Sequence, residues 1–242
     1  MKYRNWKGMH LSAVGMGCMG LSHAYGKPLE KKDAVALLQK AVEMGYTFFD
    51  TAEVYGTSDD PHINEELVGE ALRPYRSQVV IATKFGIGFD KSGGKIPYPL
   101  VADARPETIR KSVEGSLKRL GVECIDLYYQ HRIDPNTSPE EVADVMAKLI
   151  QEGKIRHWGI SECDESYLRR AHAVCPVTAI QNRYSMMYRN YEQLFPVLEE
   201  LGVALVAFST LANGFLSGRY DANSRFEAGT DYRGTMPQFQ AE

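Results

Sequence analysis

Hydrophobic and polar positions along this chain switch repeatedly between two periods. Short apolar runs at 13–17, 47–50, 79–84, 125–131, 155–161, 177–182 and 203–209 have the length and the β-branched and aromatic content of strands. Between them, segments 31–44, 63–75, 106–120, 139–152, 165–174 and 191–201 carry the apolar stripe of amphipathic helices. Ser138-Pro139-Glu140-Glu141 predicts an N-cap, a proline in the first helical position and an acidic first turn. Gly45, Gly121, Gly153 and Gly202 stand where helices should end. Residues 2–12 are expected to form a small hairpin ahead of the first run. Strands alternating with helices predict a parallel sheet.

Four polar residues stand at the ends of successive runs. Asp50 closes Thr47-Phe48-Phe49-Asp50, and Tyr55 follows five residues later. Lys84 closes Val79-Val80-Ile81-Ala82-Thr83-Lys84, and His131 closes Ile125-Asp126-Leu127-Tyr128-Tyr129-Gln130-His131. If these runs are parallel strands of one barrel, all four groups meet at its C-terminal rim, where catalytic residues of such barrels sit. Taken singly, a strand-end Asp is often a turn former, a Lys is often solvated and a lone His is often structural. Their shared placement at one end of consecutive strands favours chemistry. A phenol titrates near pH 10, and a nearby ammonium favours its phenolate. Asp50 could hold that ammonium, and His131 could orient a substrate oxygen. Such a phenol can protonate a carbonyl oxygen as hydride arrives at carbon.

Composition narrows the setting. The 242 residues are 44% hydrophobic and 24% charged, with a net charge of −3. That is an ordinary globular balance, with no basic face for nucleic acid or an anionic membrane. Cys18, Cys124, Cys163 and Cys175 are scattered, so a reduced, cytoplasmic protein is expected. The N-terminus lacks a signal-type apolar stretch, and no run approaches the ~20 residues of a membrane span. His10, His23, His62, His157 and His172 show no metal-ligand spacing.

Gly15-Met16-Gly17-Cys18-Met19-Gly20 matches the G-x-G-x-x-G of dinucleotide-binding folds. That motif needs its glycines to open a helix and an acid about 20 residues further on. Here eight residues, Leu21 to Pro28, precede any helical period, and Asp50 lies 30 residues past Gly20. A tight first strand–helix turn explains these glycines better. At the other end, Thr210 to Glu242 is rich in Gly, Asn, Asp and Arg, with neither a helical stripe nor a further strand. A barrel of about 250 residues should close with eight units. Seven are readable.

Asp50-x₄-Tyr55, Lys84 and His131 resemble the catalytic tetrad of aldo-keto reductases. Phe49-Asp50-Thr51-Ala52, Ile125-Asp126-Leu127-Tyr128 and Gly159-Ile160-Ser161 fall at landmarks of that family, and the likeness spans essentially the whole chain. It implies an α/β fold, a (β/α)₈ TIM barrel over 1–242 as one domain; by the strand count, its eighth βα unit is expected to be missing and the tail over about 218–242 irregular. It implies NAD(P)H-dependent reduction of aldehydes or ketones. Tyr55 would be the general acid, Lys84 its pKa-lowering partner, Asp50 the ion-pair anchor and His131 the substrate-orienting group. Cofactor contacts would fall to Ser161, Glu162, Gln181, Phe208, Ser209, Leu211 and Gly214. Glu162 stands where the family commonly has Asn, and a carboxylate cannot donate to the carboxamide oxygen. Phe208 keeps the stacking face of the family's Tyr.

The family's contacts to the adenosine 2′-phosphate follow strand eight. NADPH is therefore expected from the resemblance alone, and NADH is the alternative. Two other readings accompany the enzyme: a redox-sensing regulatory subunit like potassium-channel β subunits, and a truncated inactive relative. The partner is expected to be a small carbonyl substrate, with self-association at the open barrel edge a further route. At that edge Val14, Met16, Val206 and Phe208 are expected to face inward. Tyr25, the loop 85–104 and Met186-Met187 are candidate pocket linings.

Overall fold

The computed structural model describes residues 1–57, 60–90, 92–94, 99–221 and 223–240. An antiparallel hairpin, β1 (Tyr3–Trp6) and β2 (Met9–Ser12), precedes the alternating units. There follow β3 (Met16–Gly17), α1 (Lys31–Glu43), β4 (Phe48–Asp50), α2 (Ile63–Leu72) and β5 (Val80–Phe85). A second hairpin, β6 (Ile87–Phe89) and β7 (Leu100–Ala102), leads to α3 (Pro106–Leu120). The chain continues through β8 (Ile125–Gln130), α4 (Pro139–Gln151), β9 (Ile155–Ser161), α5 (Glu165–Val174), β10 (Ala179–Arg183), α6 (Phe195–Leu201) and β11 (Ala204–Phe208).

Seven strands form one parallel sheet in the order β11-β10-β9-β8-β5-β4-β3. Among the described residues, β3 and β11 are its two edges. Side chains alternate between its faces with the strand period of two. Phe49, Ile81, Tyr128 and Ile180 pack outward with Leu38, Leu72, Val113 and Met146 of the helices. Phe48, Val80, Ala82, Leu127, Tyr129 and Ala179 pack inward. The β1–β2 hairpin closes the inner core from below: Met9 joins it, and the Trp6 indole donates to the Thr178 carbonyl at 3.1 Å. Met16 belongs to the helix-side core and Val14 is 56% exposed, so neither faces inward as expected. The short β3 starts only at Met16.

Helix ends follow local chemistry. Ser138 and Glu141 form a reciprocal capping box on α4. Gly121 and Gly202 end α3 and α6 in left-handed conformations, with φ of 65° and 62°. The stripe predicted over 63–75 stops at Leu72 and tightens into a 3₁₀ turn, Arg73–Gln78, at Pro74. The stripe over 191–201 starts as a 3₁₀ turn and becomes α-helical only at Phe195, with Pro196 in its first turn. Proline has no N–H to donate, so it suits those positions and no helix interior.

Beyond β11, three 3₁₀ turns carry the chain back across the rim: Ala212–Ser217, Tyr232–Thr235 and Pro237–Phe239. The Gly26 N–H donates to Thr230 O at 3.1 Å and the Tyr232 N–H to Ala24 O at 3.0 Å. Arg233 pairs with Asp231 and lies 5.1 Å from the ring centroid of Tyr25, 4.8 Å from Tyr220 and 4.7 Å from Phe226. The segment is irregular in hydrogen bonding yet packed on the first strand–helix loop.

Candidate active site

The period of two decides which side chains enter the barrel. Asp50 shares the parity of inward Phe48, Lys84 that of Val80 and Ala82, and His131 that of Leu127 and Tyr129. Gln181 and Arg183 continue the face of Ala179, and Phe208 continues that of Ala204 and Val206. Parallel pairing puts these strand ends at one level: Gly17 opposes Asp50, Lys84 opposes Tyr129, Ser161 opposes Gln181 and Arg183 opposes Phe208.

The four expected side chains come together. Lys84 is fully buried, and its Nζ donates to Asp50 Oδ1 at 2.5 Å and to the Thr51 carbonyl at 2.8 Å. The same Nζ lies 4.8 Å from the Tyr55 ring centroid. The His131 ring meets Tyr55 edge-on at 5.6 Å, and the His131 backbone N–H donates to Phe85 O. Burial alone would lower Lys84, but Asp50 and then Tyr55 outweigh it and hold the ammonium above its ordinary value. Burial, with Lys84 and Arg132 nearby, holds His131 well below the usual imidazole range, so the ring is neutral. Burial pushes Tyr55 up and Lys84 pulls it down; burial wins, so the phenol sits above its ordinary value. Lys84 therefore acts in the expected direction, without a net lowering.

A network of side chains fixes the loops that carry these groups. Asn64 on α2 donates to Cys18 O at 2.9 Å and to Ser22 Oγ at 2.6 Å, and accepts from Thr51 Oγ1 at 2.6 Å. Ser22 Oγ in turn donates to the Tyr55 carbonyl at 2.7 Å. Glu53 ties the loop to β5: its N–H donates to Lys84 O, and its Oε1 accepts from the Gly86 N–H at 3.1 Å. Burial pushes Glu53 up to about 7, against the pull of Ser112 and Arg119. Neighbouring Glu65 is held by Thr83 at 2.5 Å and Arg119 at 2.6 Å.

The tetrad opens into a cavity of about 730 Å³, a size suited to a small organic ligand. Asp50, Tyr55 and His131 line it, together with Ser161, Gln181, Phe208 and Ser209 among the residues expected to hold a cofactor. Gln181 spends its amide on Asp50 Oδ2 at 2.8 Å, and the Ser161 hydroxyl donates to Gln181 O at 2.9 Å. Glu162 lies outside the lining; its backbone is left-handed, with φ of 54°, and its carboxylate is 3.5 Å from Arg132. Leu211 and Gly214 also lie outside, flanking and entering the 3₁₀ turn after β11.

The β6–β7 hairpin was not anticipated inside the loop 85–104. Ile87, Leu100 and Val101 form an apolar lip of the cavity. Tyr25 lines it and shares a hydrogen-bonded cluster with Tyr232 and Asn213, whereas Met186 and Met187 are exposed elsewhere. His23, Arg132, Arg183 and Tyr232 also line the cavity and were missed. Strand parity with Gln181 could have found Arg183. Gly15, Gly17 and Gly20 open no α-helix: Gly17 ends β3, a 3₁₀ turn follows and α1 begins only at Lys31. Among the described residues, no cluster of His, Cys, Asp and Glu could hold a metal, and no helix is long and apolar enough to cross a membrane.

Residues 13–238 match the Aldo/keto reductase family. The chain belongs to that family. A soybean (Glycine max) protein described as probable aldo-keto reductase 1 is 41% identical over 98% of this chain and 66% of its own length. The chain thus spans about two thirds of that relative. A glycerol dehydrogenase of Gluconobacter oxydans superposes with a TM-score of 0.85 at 32% identity, covering 98% of this chain and 72% of its own. An aldo-keto reductase of Bacillus halodurans in its holo form superposes at 0.80 with 30% identity, covering 96% and 74%. Family and fold therefore agree with the seven-stranded parallel sheet.

Proposed function

We propose that the chain reduces aldehydes or ketones to alcohols at this rim cavity, with Tyr55 as proton donor. The observation that carries the reading is the Lys84 ammonium, locked on Asp50 and set 4.8 Å from the Tyr55 ring, with His131 edge-on to the same ring. Tyr55 gives its proton to the carbonyl oxygen as negative charge develops there. Lys84 stabilises the phenolate left behind. Neutral His131, with its proton on the nitrogen facing the cavity, donates to the same oxygen and fixes the carbonyl's direction. Its other nitrogen, Nδ1, is buried without a partner, which suits that tautomer. The apolar lip of Ile87, Leu100 and Val101 receives the substrate's non-reacting part.

A nicotinamide, NADPH or alternatively NADH, supplies the hydride when bound. The residues present fit such a group: Phe208 offers an aromatic face to the cavity, and Gln181 keeps its carbonyl oxygen as an acceptor. Ser161, Glu162, Gln181 and Phe208 would hold the ring end. Ser209, Leu211 and Gly214 would follow the phosphates. The reading covers a single barrel-type domain acting on a small carbonyl compound in a reducing compartment, which the four free cysteines suit. Copies of the chain could associate through the open edges of the sheet.

Tyr55→Phe is expected to cut carbonyl reduction by at least ~10²-fold, while nicotinamide binding measured by fluorescence changes little. Near-normal turnover by the variant would remove Tyr55 from the proton-donor role.

A further inference from the structure

Among the described residues, the cavity carries one cation that nothing balances. Lys84 is neutralised by Asp50, and Arg132 faces the carboxylate of Glu162 at 3.5 Å while donating to His131 O and Ser161 Oγ. Arg183 ends β10 beside Phe208 and lines the same cavity. Among the described residues, its guanidinium has no carboxylate within ion-pair distance and no hydrogen-bond acceptor; its one contact of note is the Tyr188 ring, 5.3 Å from Cζ. Its Nε is sealed from solvent without a partner.

A buried donor left unpaired is costly, so such a group calls for an explanation. The other partly buried arginines have one: Arg119 is held by Glu65, Arg76 by Asp126 and Arg233 by Asp231. A planar guanidinium with an open edge matches a carboxylate or phosphate in paired hydrogen bonds. We propose that Arg183 anchors an anionic group of the ligand held in this cavity. Its chemistry is that of a phosphate or carboxylate oxyanion. Two sources present it: the diphosphate of the dinucleotide, and an acidic group on the carbonyl substrate. The inference rests on the reductase reading for the identity of these ligands.

Arg183→Gln removes the charge and keeps a polar side chain. NADPH, inorganic pyrophosphate and 4-carboxybenzaldehyde would each be titrated into wild type and variant by calorimetry. Turnover of 4-carboxybenzaldehyde would be compared with that of neutral 4-methylbenzaldehyde. Loss of a charge-assisted hydrogen bond predicts about a tenfold weakening. If the diphosphate is the source, NADPH and pyrophosphate weaken by that factor. If the substrate is the source, the ratio of kcat/KM for the carboxylate over the neutral aldehyde falls by that factor, as does calorimetric affinity for the former.

Either pattern supports the assignment. Affinities and ratio all within about twofold of wild type would overturn it, because a charge-assisted contact is worth more than that. Should Arg183→Gln fail to fold, Arg183→Lys carries the same comparison, with a loss of about threefold or more in either arm expected from its missing fork and wild-type values in both arms overturning the proposal. A wild-type chain that turns over neither aldehyde would refute the reductase reading. The three titrations would then decide Arg183 alone.

Discussion

Lys84 is the side chain on which the tetrad's electrostatics turn. It is fully buried, and its charge is opposed by Asp50 and felt by Tyr55. Lys84→Met keeps much of the volume and removes the charge. Tyr55 should then rise further, because its phenolate loses the nearby cation. The alkaline limb of the pH–rate profile should move up or vanish, at lower activity; an active variant with an unshifted limb would count against this role. Glu53 gives a separate pH effect on stability. Its folded value is about 7 against an ordinary 4.5. Between those values the folded chain binds more protons than the unfolded one, so its contribution falls as pH rises through that window. Glu53→Gln keeps an acceptor for the Gly86 N–H and removes the titration. Its Tm should therefore decline less than that of wild type from about pH 5 to about pH 8, as followed by circular dichroism. Parallel curves would mean that Glu53 does not carry the shift.

At the scale of elements, α2 links packing to the site. It bears Asn64 and Glu65 on its first turns, and it approaches the end of α3 through Gly69. A Cβ there would lie 2.5 Å from Leu120 O and 2.7 Å from Leu120 C, both backbone atoms that cannot swing aside. Alanine favours an isolated helix over glycine by about 1 kcal/mol. Overpacking against a fixed backbone costs about 1–3 kcal/mol and works the other way. Gly69→Ala should consequently lower Tm, by ~2–8 °C if the net cost is one or two kcal/mol, and reduce turnover by shifting Asn64. A variant with raised Tm would show that α2 has more room than this packing implies.

The whole molecule is limited by its edges. Central strands β5 and β8 are buried throughout, whereas β11 is only partly buried and β3 is two residues long. The sheet leaves both edges unpaired among the described residues, and unpaired edges weaken a fold whose margin is only ~5–15 kcal/mol. The tail packs over the rim between them, and its described residues add no strand. Fusing a family-type eighth strand–helix unit after residue 242 should raise Tm, and should raise NADPH affinity if the added unit reaches the adenosine half. Scanning fluorimetry and calorimetry on the 242-residue and extended chains would check both. Equal values would mean that the open sheet already has all the stability and grip it can use.

Much of this was legible beforehand because its causes are local. The strand and helix runs follow from side-chain period, and the ends of α3 and α6 from glycines that accept a positive φ. The convergence of Asp50, Lys84 and His131 follows from strand parity together with parallel order, and both were readable from apolar runs separated by helical ones. Long-range packing decided the rest. Whether Met16 faces the helices, whether the tail docks on Tyr25, and whether burial outweighs Lys84 at Tyr55 depend on neighbours far apart in sequence. The short β6–β7 hairpin has too few residues to show a period. Parity with Gln181 could place Arg183 on the inner face, but one arginine among many in the sequence becomes distinct only when its described surroundings supply no anion. The sequence by itself determined which residues of each run share a face, because backbone stereochemistry dictates alternation. Only the tertiary structure decided which of those charges are compensated, because that depends on what stands across the cavity.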